Sequence, residues 1–422
     1  MTPAHAPASV SPAHQSFAAL RHPGYRPYVV ASGLVMMADS IEHVISYWMM
    51  FQKFHSPALG GFAIISHWLP FLLFSVYSGA LADRYDPRRI IQLGMLLFMA
   101  ASFFWGLLFL TDTLEMWHAV VLLVIHGFAG VFWGPAAQIL IHDIVGPAQL
   151  QSGVRLFATF RFLGLLMGPA LGGAFLMVLG PAWGLFANTF IYLPLTLWLW
   201  KAPYGPRFRE AGTTSRRAIR GYADILATIR AIAGNRGIVT MILLAGAASL
   251  FVGNGMQAQM PEFAEHLGHG DADMSYSILL GASAAGALSA GFVLESRSLL
   301  RANPRTALLL AILWCVAVAA FAGVAYYPLA LALLFVAGFL DLAFESMAQA
   351  LVQIHSPAEL RGRVIGLYQM SANGLRAFSG ITIGMGGSLI GIHLATFWSA
   401  VAVLAVVLAL LAFSLRGPAP SD

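Results

Sequence analysis

The run Met37-Ala-Asp39-Ser-Ile-Glu42-His43 places three ionisable side chains inside an otherwise apolar stretch. Spacings of three and four bring Asp39, Glu42 and His43 onto one helix face. A carboxyl group in apolar surroundings exchanges a proton as water reaches it, and an imidazole titrates near neutrality. The chemistry open to this stripe is therefore proton uptake and release. Asp341 and Glu345 repeat the i,i+4 spacing in a later apolar run, and Arg161 and Arg376 lie in two others. An unpaired guanidinium at such a depth is costly, so Arg376 is expected to pair with Glu345 or Asp341. It can equally bind a carboxylate or catecholate ligand. His126 and Asn254 join these four as candidate substrate-binding residues, with Gln257, Gln259, Gln349 and Asn373 as further polar lining. Trp68, Phe132, Trp133 and Phe344 are candidate aromatic walls. His67, His126 and His142 also fall in or beside apolar runs, and Asp39, His43 and His126 can approach each other across two helices. Such groups suit a metal ion. Lone helix histidines are more often satisfied structurally, and no metal site is assigned.

The elements that hold these residues follow from composition. Hydrophobic residues make up 59% of the 422 and charged residues 10%. A soluble domain carries about 25% charged residues, so this balance speaks against a water-soluble enzyme. The apolar residues form long runs, and about 20 of them cross a bilayer as a helix. Twelve spans are expected, near 27–51, 59–82, 90–111, 118–142, 153–178, 183–201, 237–259, 275–294, 306–325, 328–352, 365–390 and 392–414. The single cysteine, Cys315, leaves no disulfide framework and no cysteine-rich metal site. No phosphate-cradling G-x-x-x-x-G-K-[ST] motif occurs, so neither ATP nor another cofactor is expected to drive the protein.

Orientation follows the basic residues. With both termini inside, the loops holding Arg84, Arg88, Arg89, Arg207, Arg209, Arg216, Arg217, Arg220, Arg297, Arg301, Arg361 and Arg363 are cytoplasmic, and Lys53 alone lies outside. The positive charge thus belongs to membrane topology, and no nucleic-acid partner is expected. Residues 1–24 lack a charged start followed by an apolar core and read as a cytoplasmic tail. The expected units are that tail, a six-helix bundle over 25–202, a cytoplasmic linker over 203–236, a second bundle over 237–414, and a tail over 415–422. Within the linker, Ser215–Asn235 has the spacing of an amphipathic helix on the inner leaflet.

The two bundles repeat each other. Residues 127–140 read GFAGVFWGPAAQIL and residues 338–351 read GFLDLAFESMAQAL. Gly-Pro-Ala-Gln-Leu (146–150) and Ser-Pro-Ala-Glu-Leu (356–360) follow them. Tandem six-helix repeats put a pseudo-two-fold axis along the membrane normal, with a cavity between the halves. In this register Asp341 and Glu345 stand where the first half has Gly130 and Gly134.

Gly79-Ala-Leu-Ala-Asp83-Arg84-Tyr-Asp86-Pro-Arg88-Arg89 resembles the loop signature of the major facilitator superfamily, G-x-L-a-D-R-x-G-R-(K/R). The resemblance implies that Gly79, Asp83, Arg84 and Arg88 take part in gating by joining neighbouring helix ends in one state. Asp86 stands in place of the usual Gly and Pro87 interrupts the basic run, so this end is expected to be wired differently. Gly164-Leu-Leu-Met-Gly168-Pro169-Ala-Leu-Gly172-Gly173 resembles the superfamily's exporter signature, which adds Gly168 and Pro169 to the gating candidates. Pro357-Ala-Glu-Leu-Arg361-Gly-Arg363 resembles the transmembrane secretion effectors, the branch that includes the enterobactin exporter. The resemblance implies an all-α membrane protein of two six-helix bundles. Its expected work is proton-coupled export of a small organic molecule (a siderophore, drug or metabolite) across the cell inner membrane, by a monomer. An importer, a metal-ion exporter of the same fold, or a non-transporting membrane sensor are the alternatives.

Overall fold

The structure is a computed structural model, described for residues 17–54, 57–208, 222–267, 272–297, 300 and 302–415. The described residues are helical throughout, with no strand among them. Spans 1 to 6 are Tyr25–Phe54, Pro57–Arg84, Pro87–Leu110, Met116–Val145, Leu150–Val178 and Gly180–Lys201. Spans 7 to 10 are Arg236–Gln257, Ala272–Arg297, Pro304–Gly323 and Tyr327–His355. Span 11 occupies 361–390 and span 12 is Ile392–Leu415. Eleven of these helices are long and apolar enough to cross a bilayer.

Span 11 departs from the single helix expected over 365–390. Two π-helical stretches, Met370–Gly374 and Gly380–Met385, interrupt it. Glycines 374, 380, 384, 386 and 387 crowd this segment, and glycine is a weak helix former. Arg376 lies in the short α-helical turn between the two stretches. Span 7 is also broken: its first helix stops at Phe251, and Gly253 takes φ +37°. A side chain there would meet the carbonyl of Ser249 at 2.3 Å, so glycine permits the break that presents Asn254.

Equivalent helix pairs pack in the two halves: spans 2, 3 and 6 against 4, 4 and 3, and spans 8, 9 and 12 against 10, 10 and 9. This internal correspondence matches the sequence repeat. Large apolar side chains such as Met177, Trp200, Phe292 and Leu389 face outward, as lipid-facing surfaces require. Among the described residues the linker helix expected over Ser215–Asn235 spans Tyr222–Ile232, and residues 215–221 lie outside them. Ile225 and Ile232 pack on the second half, while Leu226 and Ile229 are exposed beside Arg230. Residues 1–16 and 416–422 of the tails lie outside the described residues, as do Arg209, Arg216, Arg217, Arg220 and Arg301.

Candidate functional site

His126 of span 4 joins the two carboxylates of span 1. Its Nε2 lies 2.9 Å from Asp39 Oδ1 and its Nδ1 lies 2.8 Å from Glu42 Oε1. A neutral imidazole carries one N–H, so two carboxylate contacts require a further proton on the ring or on one carboxyl group. The geometry therefore calls for one proton beyond that of a neutral imidazole. Asp39, Glu42 and His126 are all more than 90% buried. Ser102 of span 3 donates to Glu42 Oε2, and Asn188 of span 6 donates to Ser102 Oγ at 3.1 Å and to the carbonyl of Ala38 at 3.0 Å. Four spans thus fix Glu42, leaving Asp39 as the member that faces the cavity. His43 Nδ1 reaches Asp39 Oδ2 at 3.5 Å.

His67 of span 2 completes the group. Its ring centroid lies 5.0 Å from that of His43 and 5.5 Å from that of His126, and its Nδ1 is buried with no hydrogen-bond partner. Close helix packing sets this register. A Cβ on Gly127 would lie 2.0 Å from the carbonyl of Ser66, so spans 2 and 4 touch at the level of His126 and His67. The Gly164–Gly173 stripe seats span 1 in the same way: Gly164 lies against Gly33 and Met37, and Gly168 against Ser40. Gly168 and Pro169 therefore lie within the first half, beside the Asp39 stripe. In sequence terms His67 was visible only as an isolated histidine, and Ser102 and Asn188 as ordinary polar residues of apolar helices.

A cavity of about 60 Å³ separates this cluster from the second half; Asp39, His67, Trp68, Trp133, Arg161 and Asn373 are among its walls. It admits about two waters. Gly130 and Gly134 also line it and lie against Phe71, where their repeat partners are acids. Of the four candidate aromatics, Trp68 and Trp133 line the cavity, Phe344 is fully buried in the second half's core, and Phe132 packs on the first half's core. Arg161 lies over Trp133 at 5.3 Å and Phe157 at 5.9 Å, and its Nε has no hydrogen-bond partner. Among the described residues no carboxylate lies within ion-pair distance of Arg161, and Asp39 and Glu345 act on its charge from farther away. Arg376 has such a partner: its Nη2 lies 3.2 Å from Glu345 Oε1, its Nη1 lies 3.4 Å from Asn254 Oδ1, and its guanidinium covers Trp68 at 5.4 Å. Of the two acids expected near Arg376, Glu345 is the one that pairs with it.

Hydrogen bonds between the halves, among the described residues, gather toward the end where span 2 finishes. Asp83 Oδ1 accepts from the backbone N–H of Gly362 at 2.6 Å and Oδ2 from that of Arg363 at 3.1 Å. Asp83 therefore caps the first turn of span 11 from the other half. Gly79 makes this approach possible, because a Cβ there would lie 2.0 Å from the carbonyl of Gly362. On the other side of the pseudo-axis, Glu295 of span 8 receives Arg155 Nη1 at 3.1 Å and the hydroxyl of Ser152 at the start of span 5. Gln353 donates to Gln138 at 2.8 Å between spans 10 and 4. The basic residues of the loop signature serve differently. Arg88 pairs with Asp86 at 2.6 Å, and Asp86 caps span 3 by accepting from the Arg88 backbone. Arg84 is exposed, with its guanidinium 5.3 Å from the Tyr85 ring. Asp86, the departure from the signature, thus draws Arg88 to its own loop.

The described residues form a helical bundle of two repeated halves, with a cavity between them lined by aromatic side chains and a few charged and amide groups. The chain belongs to the Major Facilitator Superfamily, whose family model matches residues 28–380. It is similar in fold to the human organic anion transporter MFSD10 (TETRAN), with TM-score 0.72 and 14% identity over 92% of this chain and 100% of that one. It is also similar to a variant of the E. coli fucose:proton symporter FucP, with TM-score 0.70 and 12% identity over 94% and 100%. FucP in the outward conformation gives TM-score 0.71 and 14% identity over the same shares. No curated protein sequence matches the chain significantly. The chain is thus a multi-pass secondary transporter and not an enzyme.

Proposed function

We propose that this transporter exports a small organic anion from the cytoplasm in exchange for protons, by alternating access. The observation that carries this reading is one juxtaposition. Asp39, the cavity-facing member of the bridge with His126 and Glu42, and Arg161, which has no carboxylate at ion-pair distance among the described residues, line the same cavity between the halves. A guanidinium without a carboxylate is matched by an anionic ligand, and aromatic faces beside it suit an organic one. A proton on the bridge and an anion on Arg161 change the field of the same small space, so the occupancy of each affects the other. The cavity is too small for an organic cargo in this state, so the halves part during transport. The transporters of similar fold include one named for organic anions and one for proton symport, which agrees with this class of cargo and ion. The Gly164–Gly173 stripe and the Arg361–Arg363 segment support the direction and the siderophore-exporter branch through their resemblance alone.

Arg161→Gln tests the cargo class. Loss of a charge-assisted hydrogen bond removes about 1.5–3 kcal/mol, so affinity for an anionic cargo falls by about 10- to 100-fold. The measurement is thermal stabilisation of purified protein by a panel of organic anions and their neutral amides, followed by vesicle efflux of the binders. Preference for the neutral members, or unchanged anion affinity in Arg161→Gln, rules the anion reading out.

The same reading places the Asp83 end and both termini in the cytoplasm, in the cell inner membrane, because the basic loops gather there. Reporter fusions after spans 2, 4, 8 and 10 are expected to report inside. An outside location for residues 203–236 reverses the orientation and with it the direction of export.

A further inference from the structure

We propose that Asp39, His43, His67 and His126 form a binding site for a divalent first-row transition-metal ion, open to the central cavity. Each of the four offers a ligand atom, and these atoms all lie within 4.8 Å of one another. Three imidazoles and one carboxylate make a nitrogen–oxygen donor set of the kind that zinc, cobalt, nickel and ferrous iron accept. Ligands of a tetrahedral ion at about 2.0–2.1 Å are about 3.4 Å apart, so the longest pair closes by about 1.4 Å. His43 and His67 are only partly buried, and side-chain rotation there supplies this closure.

Two further observations point to an ion. The Nδ1 of His67 is buried in the cluster with no hydrogen-bond partner, which leaves a lone pair or N–H unmatched in a site otherwise rich in hydrogen bonds. Glu42 stands behind His126, taking its Nδ1 at 2.8 Å, and is itself held by Ser102. A carboxylate on the far nitrogen orients a ligating imidazole and raises its basicity. The ion takes the place of the hydrogen bond between His126 Nε2 and Asp39. Charge permits it: Glu345 pairs with Arg376, and the two carboxylates Asp39 and Glu42 outweigh the one charge of Arg161. Access is from the central cavity, which Asp39 and His67 line.

The probe is Co²⁺, added to protein purified without a histidine tag, with His5 and His14 changed to Gln, and reconstituted in lipid nanodiscs. The expected result is one equivalent bound, with the visible absorption bands of four-coordinate Co²⁺, displaced by Zn²⁺. His43→Gln and His67→Gln each abolish the bands, while His355→Gln, remote from the cluster, leaves them intact. Glu42→Gln keeps all four ligands and weakens binding by about 10- to 100-fold. Monodisperse elution of each variant separates lost ligation from lost folding, and Glu42→Gln decides the matter should a ligand variant fail to fold. Absence of the bands at millimolar Co²⁺, or bands unchanged in both His43→Gln and His67→Gln, overturns the site. The readout needs neither cargo nor gradient. Co²⁺ binding without proton-driven efflux therefore sinks the transport reading alone, and the reverse outcome sinks the metal site alone.

Discussion

Asp83→Asn is expected to open the closed end of the bundle. Each carboxylate oxygen of Asp83 accepts a backbone N–H at the start of span 11. An amide replaces one oxygen with an NH₂ group, so one of those N–H groups then faces a donor. Loss of one charge-assisted bond costs about 2 kcal/mol, which corresponds to a shift of about 30-fold between the two states. Insertion and folding are expected to persist, because each half builds most of its core from its own residues, with Val76 joining the second half's core and Ala350 and Ile365 the first's. The check is the labelling rate of a cysteine introduced beside Gln138 from the Asp83 side, in a background lacking Cys315. The rate rises in Asp83→Asn, and transport falls. Equal labelling and equal transport reduce this loop to a topological signal. Glu295→Gln is expected to act in the same direction, since Glu295 holds span 5 as Asp83 holds span 11.

Asp39→Asn is expected to uncouple transport from the proton gradient. Asn keeps the size of the side chain and a hydrogen bond to His126, but it holds no exchangeable proton at neutral pH. Acceleration of efflux by an imposed pH difference then disappears, while exchange of cargo down its own gradient remains in part. Glu345→Gln is expected to alter cargo affinity more than coupling, because Glu345 is tied to Arg376, whose guanidinium covers the cavity-lining Trp68. Retention of the full acceleration in Asp39→Asn transfers the coupling role to Asp341 or Glu345.

The Asp39–Glu42–His43 stripe was legible because spacing along one helix fixes its face. The tandem repeat was legible because it preserved whole phrases, and the helix pairs that pack in each half agree with it. Contacts between helices were harder to read. His67 joins Asp39 through the register of spans 2 and 4, which depends on the close approach of Gly127 to Ser66. No periodicity encodes that approach. The approach of His126 to Asp39 was expected from the sequence, whereas its contact with Glu42 was not. Span 11 is interrupted by polar residues and is the one span absent from the eleven long apolar helices, and its breaks fall where glycines crowd the segment. The replacement of Gly by Asp86 was visible and did mark a difference, because a carboxylate two residues before Arg88 captures it.

The central claim is that cargo and protons exchange through the Asp39–His126–Glu42 bridge. Its most direct measurement is proton movement in proteoliposomes with no initial pH difference. A cargo gradient is imposed and internal pH is followed with an entrapped dye. The account predicts proton flow opposite to the cargo in the wild-type protein and none in Asp39→Asn, with cargo flux retained in part. Cargo flux without proton flow in the wild type, or equal proton flow in Asp39→Asn, contradicts it.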